Sequence, residues 1–290
     1  MNRFAMLLLV LSVLFSTMRG VLSKKLGVCG KNGYGFALIQ TYLFAIAALT
    51  AFLLNIKSVI APSLSVVILA LVYGIFTVLS QWMYTKALAK ANISICSMIY
   101  SFGFIIPTVF GTVVWHEKIG IFKIASIAFC IVTVILVSVG KEHESRKSKK
   151  LPWELFAAMV ASGGLGVVQK LQQKSNAGGE TGTFLLISFL LASMISLVVS
   201  LFCHKNSEPI RTDRSLIGCL LVVGVSMAVA NTANTLLAGE LPSAVAFPIT
   251  NVGVILASTL VSVRLMKEKL LKNQIVAFFM GIVAIVLLNL

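Results

Sequence analysis

Ten apolar stretches fill almost the whole chain, at about 4–25, 34–56, 63–86, 93–115, 120–140, 153–174, 182–203, 214–237, 243–264 and 270–289. Each is close to the roughly 20 residues that a helix needs to cross a bilayer. Inside hydrocarbon a helix satisfies its own backbone N–H and C=O groups, so runs of this kind fold as spanning helices. Only 11% of the 290 residues are charged and 58% are hydrophobic. Soluble domains run near 25% charged and 45–50% apolar, so this chain has too few polar side chains to clothe a core in water. It reads as an all-α, multi-pass integral membrane protein. The loops are short, and Pro62, Pro152 and Pro242 stand where helices begin, a position at which proline's missing N–H costs nothing. With so little chain outside the lipid, function belongs inside the helix bundle.

The N-terminal MNRFAMLLLVLSVLFSTMRG places Arg3 before an apolar run, as a secretory signal does, but it lacks a small-x-small cleavage site. It therefore reads as a retained first helix. The five cysteines, Cys29, Cys96, Cys130, Cys203 and Cys219, are scattered with no CxxC pair. They read as small buried apolar residues, and neither a disulfide, a metal site nor a cofactor is expected.

The charged pair Glu117-Lys118 returns as Glu268-Lys269, 151 positions on. Laid without a gap on Glu268–Leu290, the segment Glu117–Val139 is identical at six of 23 positions. At nearly the same offset ANIS (91–94) aligns with LPSA (241–244), and GVLSK (20–24) with GVVQK (166–170). The chain thus reads as two copies of five helices, 1–140 and 153–290, joined by the polar run 141–152. An odd number of spans turns the second copy upside down. The predicted fold is therefore ten transmembrane helices in two inverted five-helix repeats, a plan of secondary transporters. Glu117 and Glu268 should lie on opposite membrane faces, each at a helix start, with Glu near the positive helix end and Lys reaching for water.

The two five-helix halves, Ala87-Leu88 near the end of the third helix and Glu-Lys after the fourth resemble the drug/metabolite transporter superfamily, and within it the EamA-type branch. The resemblance implies a carrier of small metabolites, often an exporter of amino acids or drugs. It also implies a central cavity between the first, third, fourth, sixth, eighth and ninth helices. Substrate does not transfer with a fold.

Loops after odd-numbered helices hold 17 Lys and Arg, and the opposite side holds six, with Arg19 standing apart within the first helix. The richer side belongs in the cytoplasm, which turns both termini outward. The net charge of +15 reflects this asymmetry and anionic lipid headgroups, not nucleic acid. The expected partners are a small-molecule solute and membrane lipid, and the expected location is the plasma membrane. The sequence sets no oligomeric state.

Polar groups at helix depth mark function, because the bilayer penalises them. Ser12, Ser16, Arg19 and Ser23 follow i, i+4, i+7, i+11 and share one face of the first helix. Arg19 either snorkels to the interface beside Lys24 and Lys25 or lines a cavity, where it favours a carboxylate or other anionic group. Tyr73, Thr77, Ser80 and Tyr84 form a stripe on the third helix, suited either to an amphipathic solute or to bonding between helices. Asn231, Asn234, Thr250 and Asn251, on the eighth and ninth helices, either staple those helices or present amides to a ligand. Tyr100, Gly103, Pro107 and Gly111 share a face of the fourth helix, as do Ser162, Gly166, Gln169 and Gln173 on the sixth. The small residues suit close packing or a hinge. The candidate substrate-binding set is Arg19, Ser16, Tyr73, Ser80, Tyr84, Tyr100, Gln169, Asn231, Asn234, Thr250 and Asn251.

All nine acidic residues fall at helix ends or in loops, which disfavours proton coupling through a carboxylate and favours facilitated diffusion or exchange. The four-helix multidrug relatives use a Glu within their first helix, and no position here matches it. Three function classes follow. The first is a secondary transporter of an amino-acid-like or other amphipathic solute, anions included, working by alternating access toward export. A structural or sensory subunit would need few inward polar stripes. An intramembrane enzyme would need a reactive cluster at depth, yet His116, His143 and His204 lie in loops or at their edges and no HExxH occurs.

Overall fold

The computed structural model describes residues 2–29, 33–56, 62–90, 93–117, 120–139, 151–175, 178–203 and 214–266, together with 275–276, 279–280, 283 and 287. The described helices are α1 (Arg3–Cys29), α2 (Gly33–Leu54), α3 (Leu64–Lys90), a two-piece α4 (Ile93–Ser101 and Ile105–Trp115), α5 (Ile121–Val139), α6 (Leu151–Lys174), α7 (Thr181–Cys203), α8 (Arg214–Glu240) and α9 (Ser243–Met266). They coincide with the first nine apolar runs. Most of the tenth run, the linker at 141–150 and the Glu268-Lys269 pair lie outside the described residues. Among the described residues, six helices (α1, α2, α3, α7, α8 and α9) are long and apolar enough to cross a membrane, and Ile99–Trp115 is a shorter apolar helix.

Burial is arranged for lipid. Large apolar side chains such as Leu7, Leu14, Leu53, Ile75 and Met194 point outward, while Ser12, Gln40, Thr85, Gln172 and Ser196 are wholly buried. Lipid tails are as apolar as leucine, so close packing and interhelical hydrogen bonds hold such bundles together. On α4, Gly103 meets α6 so closely that a Cβ there would lie 2.7 Å from the Met159 carbonyl oxygen. The 3-10 turn Phe102–Phe104 divides α4 for a local reason. Pro107 has no N–H to offer the Gly103 carbonyl four residues earlier, and its ring crowds that carbonyl.

The two halves interleave. Helix α2 lies on α7, α1 runs along α8, and α3 runs along α6, while α2 also meets α8 and α3 meets α7. Exchanging the halves turns α1–α8 into α6–α3 and α2–α8 into α7–α3, and leaves α2–α7 unchanged. The α2–α7 pair is antiparallel: a Cβ on Gly33 would sit 3.6 Å from Cys203 Sγ, and further along Ser193 Oγ donates to the Thr41 carbonyl at 3.1 Å. Between α6 and α7, Glu180 reaches across to accept the backbone N–H of Ser63 at 3.0 Å, at the start of α3.

Candidate functional site

A cavity of about 100 Å³ opens between α1, α3, α4, α6, α8 and α9. It is built from the inward polar stripes of both halves. Helix α1 contributes Ser16, Thr17 and Arg19, and α4 contributes Ser97, Tyr100 and Ser101. From the second half, α6 brings Ser162 and Gln169, α8 brings Asn231 and Asn234, and α9 brings Thr250, Asn251 and Ser258.

The aromatic wall comes from α3 and α4. The Tyr84 and Tyr100 rings stand 4.5 Å apart at an interplanar angle of 39°. Their hydroxyls are held from behind, Tyr84 by Ser97 at 2.9 Å and Tyr100 by Ser80 at 2.9 Å. The Tyr100 hydroxyl also hydrogen-bonds the side chains of Ser162 and Arg19. Arg19 Nε is buried without a hydrogen-bond partner, and among the described residues no carboxylate pairs with this guanidinium.

Behind the wall runs a directed chain of hydrogen bonds. Gln169 Nε2 donates to the Tyr73 hydroxyl at 2.9 Å, Tyr73 donates to Asn231 Oδ1 at 2.6 Å, and Asn231 Nδ2 donates to the Met227 carbonyl at 2.7 Å. It ties α6, α3 and α8 together with each buried polar group satisfied, as a low-dielectric interior demands. Asn234 Oδ1 accepts from Ser12 on α1. Arg19 therefore sits in a ring of neutral polar groups that are largely engaged with one another.

One end of the cavity is fastened by ions. Lys170, one residue beyond Gln169, donates to the carbonyls of Ala238 at 2.8 Å and Leu241 at 2.7 Å, closing the end of α8. It also lies 3.3 Å from Glu117 Oε1. Glu117 accepts the Ser243 backbone N–H at 2.7 Å, which places a carboxylate on the positive N-terminus of α9. His116 turns the chain toward this contact by adopting a left-handed conformation (φ 49°, ψ 36°). Gly111 allows it, since a Cβ there would meet Ser243 Cβ at 2.7 Å and Glu117 Oε2 at 2.8 Å. The sequence placed Glu117 at the start of its own fifth helix; it instead serves a helix of the other half.

The chain matches the EamA-like transporter family over residues 3–139 and again over 152–290. It belongs to that family. A solved crystal structure covers 98% of this EamA-like chain and 96% of its own length, with a TM-score of 0.73 at 14% identity, a likeness that shows the fold alone. No curated protein sequence matches significantly.

Of the candidate residues in this EamA-like transporter, Arg19, Ser16, Tyr84, Tyr100, Gln169, Asn231, Asn234, Thr250 and Asn251 all line the cavity. Tyr73 and Ser80 stand one layer back and hold lining side chains in place. The lining serines Ser97, Ser101 and Ser258 were not among the candidates. Ser97 and Ser101 carry a signal that could have found them, an i, i+4 spacing that flanks Tyr100. Among the described residues, no three His, Cys, Asp or Glu side chains gather as a metal site.

Proposed function

We propose that this EamA-like chain is a secondary transporter that exports a small amino-acid-like or otherwise amphipathic solute across the plasma membrane by alternating access. The observation that carries this reading is the cavity itself: polar side chains from both halves surround it in mid-helix, and one of them is a half-buried arginine whose Nε is buried and which has no counter-charge among the described residues. Polar groups at that depth are expensive, so their concentration around a space argues for a polar visitor. The antiparallel α2–α7 contact and the reciprocal pairings support a chain of ten spans in two inverted halves, 1–140 and 153–290.

The ionic fastening at Glu117, Lys170 and Ser243 acts as a closed gate. It joins the end of α4 in one half to α6, α8 and α9 in the other, so rocking of the halves must part it. By the Lys and Arg bias, that end faces away from the cytoplasm, and a cavity shut on the outside suits loading from within. With no carboxylate among the described lining residues, exchange or facilitated diffusion is the coupling that fits.

Counterflow of labelled solutes into proteoliposomes of the purified full chain tests the reading. Saturable flux above protein-free vesicles is expected. A broad panel of anions, zwitterions and cations in which nothing moves would sink it.

A further inference from the structure

The charges of the cavity specify more than a transporter. Among the described lining residues Arg19 alone carries a full charge, and no Asp or Glu faces it. A cation drawn partly out of water gains from a partner of opposite sign, and half-buried Arg19 has a planar fork of donors whose best match is a carboxylate.

The neutral lining has a direction as well. Thr17 gives its hydroxyl hydrogen to the Val13 carbonyl at 2.7 Å, Thr250 to Ala246 at 2.7 Å and Ser258 to Ile255 at 3.0 Å. The Asn251 amide gives one of its two hydrogens to the Phe247 carbonyl at 2.8 Å. With those hydrogens committed to the backbone, the same side chains offer a visitor acceptor oxygens. An ammonium would find acceptors here, but it would bring a second positive charge beside Arg19 into a site with no acid to balance it. A hydroxyl or an amide N–H uses the same oxygens without that penalty.

We infer that the cavity takes an organic monoanion: a carboxylate held by Arg19, neutral donors toward α1 and α9, and a flat apolar group against the Tyr84–Tyr100 pair. This rests on the carrier reading and narrows its substrate to compounds whose nitrogen, if present, is acylated and uncharged.

The test uses triples that keep one body and change only the charge: N-acetylphenylalanine, phenylalanine and phenylalaninamide, with the same three forms of tryptophan and leucine. Flux of each is measured in proteoliposomes of the full chain. The acetylated anion should outrun its zwitterionic parent by roughly 10–100-fold, the range of one charge-assisted contact, and the cation should stay at background. Arg19→Gln should bring the three rates together, whereas Arg19→Lys should keep the order at lower flux. A zwitterion or cation carried as fast as the anion overturns the inference while leaving transport intact, as does an Arg19→Gln protein that keeps the preference. Silence of every member of every triple counts against the carrier reading, and the inference falls with it.

Discussion

Lys170 and Arg19 are both basic side chains set deep in helices, one at the end of the cavity and one in its wall, and the bundle treats them oppositely. Lys170 is only 3% exposed and has every donor occupied, by two backbone carbonyls and the Glu117 carboxylate. Arg19 shares a tyrosine hydroxyl and keeps a buried nitrogen unbonded. A fully partnered buried ion fixes structure. A cation without a counter-charge destabilises the resting protein, and on the proposed reading Arg19 is kept for what it can hold. On the proposed reading, the contrast separates a cation that fastens the bundle from one that waits for a ligand.

Four substitutions can break or sharpen that contrast. Lys170→Met leaves Glu117 only the more distant Lys174 as a counter-charge, at 3.8 Å, frees the carbonyls of Ala238 and Leu241, and should lower unfolding free energy by about 3 kcal/mol, read by denaturant titration in detergent. A change near zero would erase the distinction. Arg19→Gln should cut solute flux roughly 10–100-fold, while stability holds or rises, because the variant removes a charge that has no counter-charge in the resting protein. A loss of stability as large as that of Lys170→Met would make Arg19 a second fastener. Tyr73→Phe interrupts the chain between Gln169 and Asn231; about 1–2 kcal/mol of stability should go, with flux reduced only a few-fold. His116→Asn relieves a left-handed residue that asparagine tolerates better and should raise stability by less than about 1 kcal/mol, visible as a small rise in melting temperature.

The spans and the inward stripes were legible in the sequence because both are periodic. Apolar runs of membrane length and polar residues at helical spacing mark depth and face without any knowledge of neighbours. Face is not the whole of position, however. Tyr73 and Tyr84 share a side of α3, but the 11 positions that separate them place them about 16 Å apart along the axis. Only the latter reaches the cavity. The ion-paired fastening was not legible. Glu117 meets Ser243 across 126 positions of sequence, and nothing local to either residue announces the other. Lys170 appeared in the aligned GVVQK only as a repeat marker, since its carbonyl partners belong to a helix end that a pattern of residue types cannot aim.

Glu117 and Glu180 carry one further implication. The first half sends an acid to begin α9, and the second sends one to begin α3, so each completes a piece of the other's backbone chemistry. Severed at 141–150 and produced as separate polypeptides, the fragments would lose both of these helix-start contacts and would bare to lipid the polar inward faces that pair α1 with α8, α2 with α7 and α3 with α6. Neither should persist in a membrane alone, and co-production should rescue both.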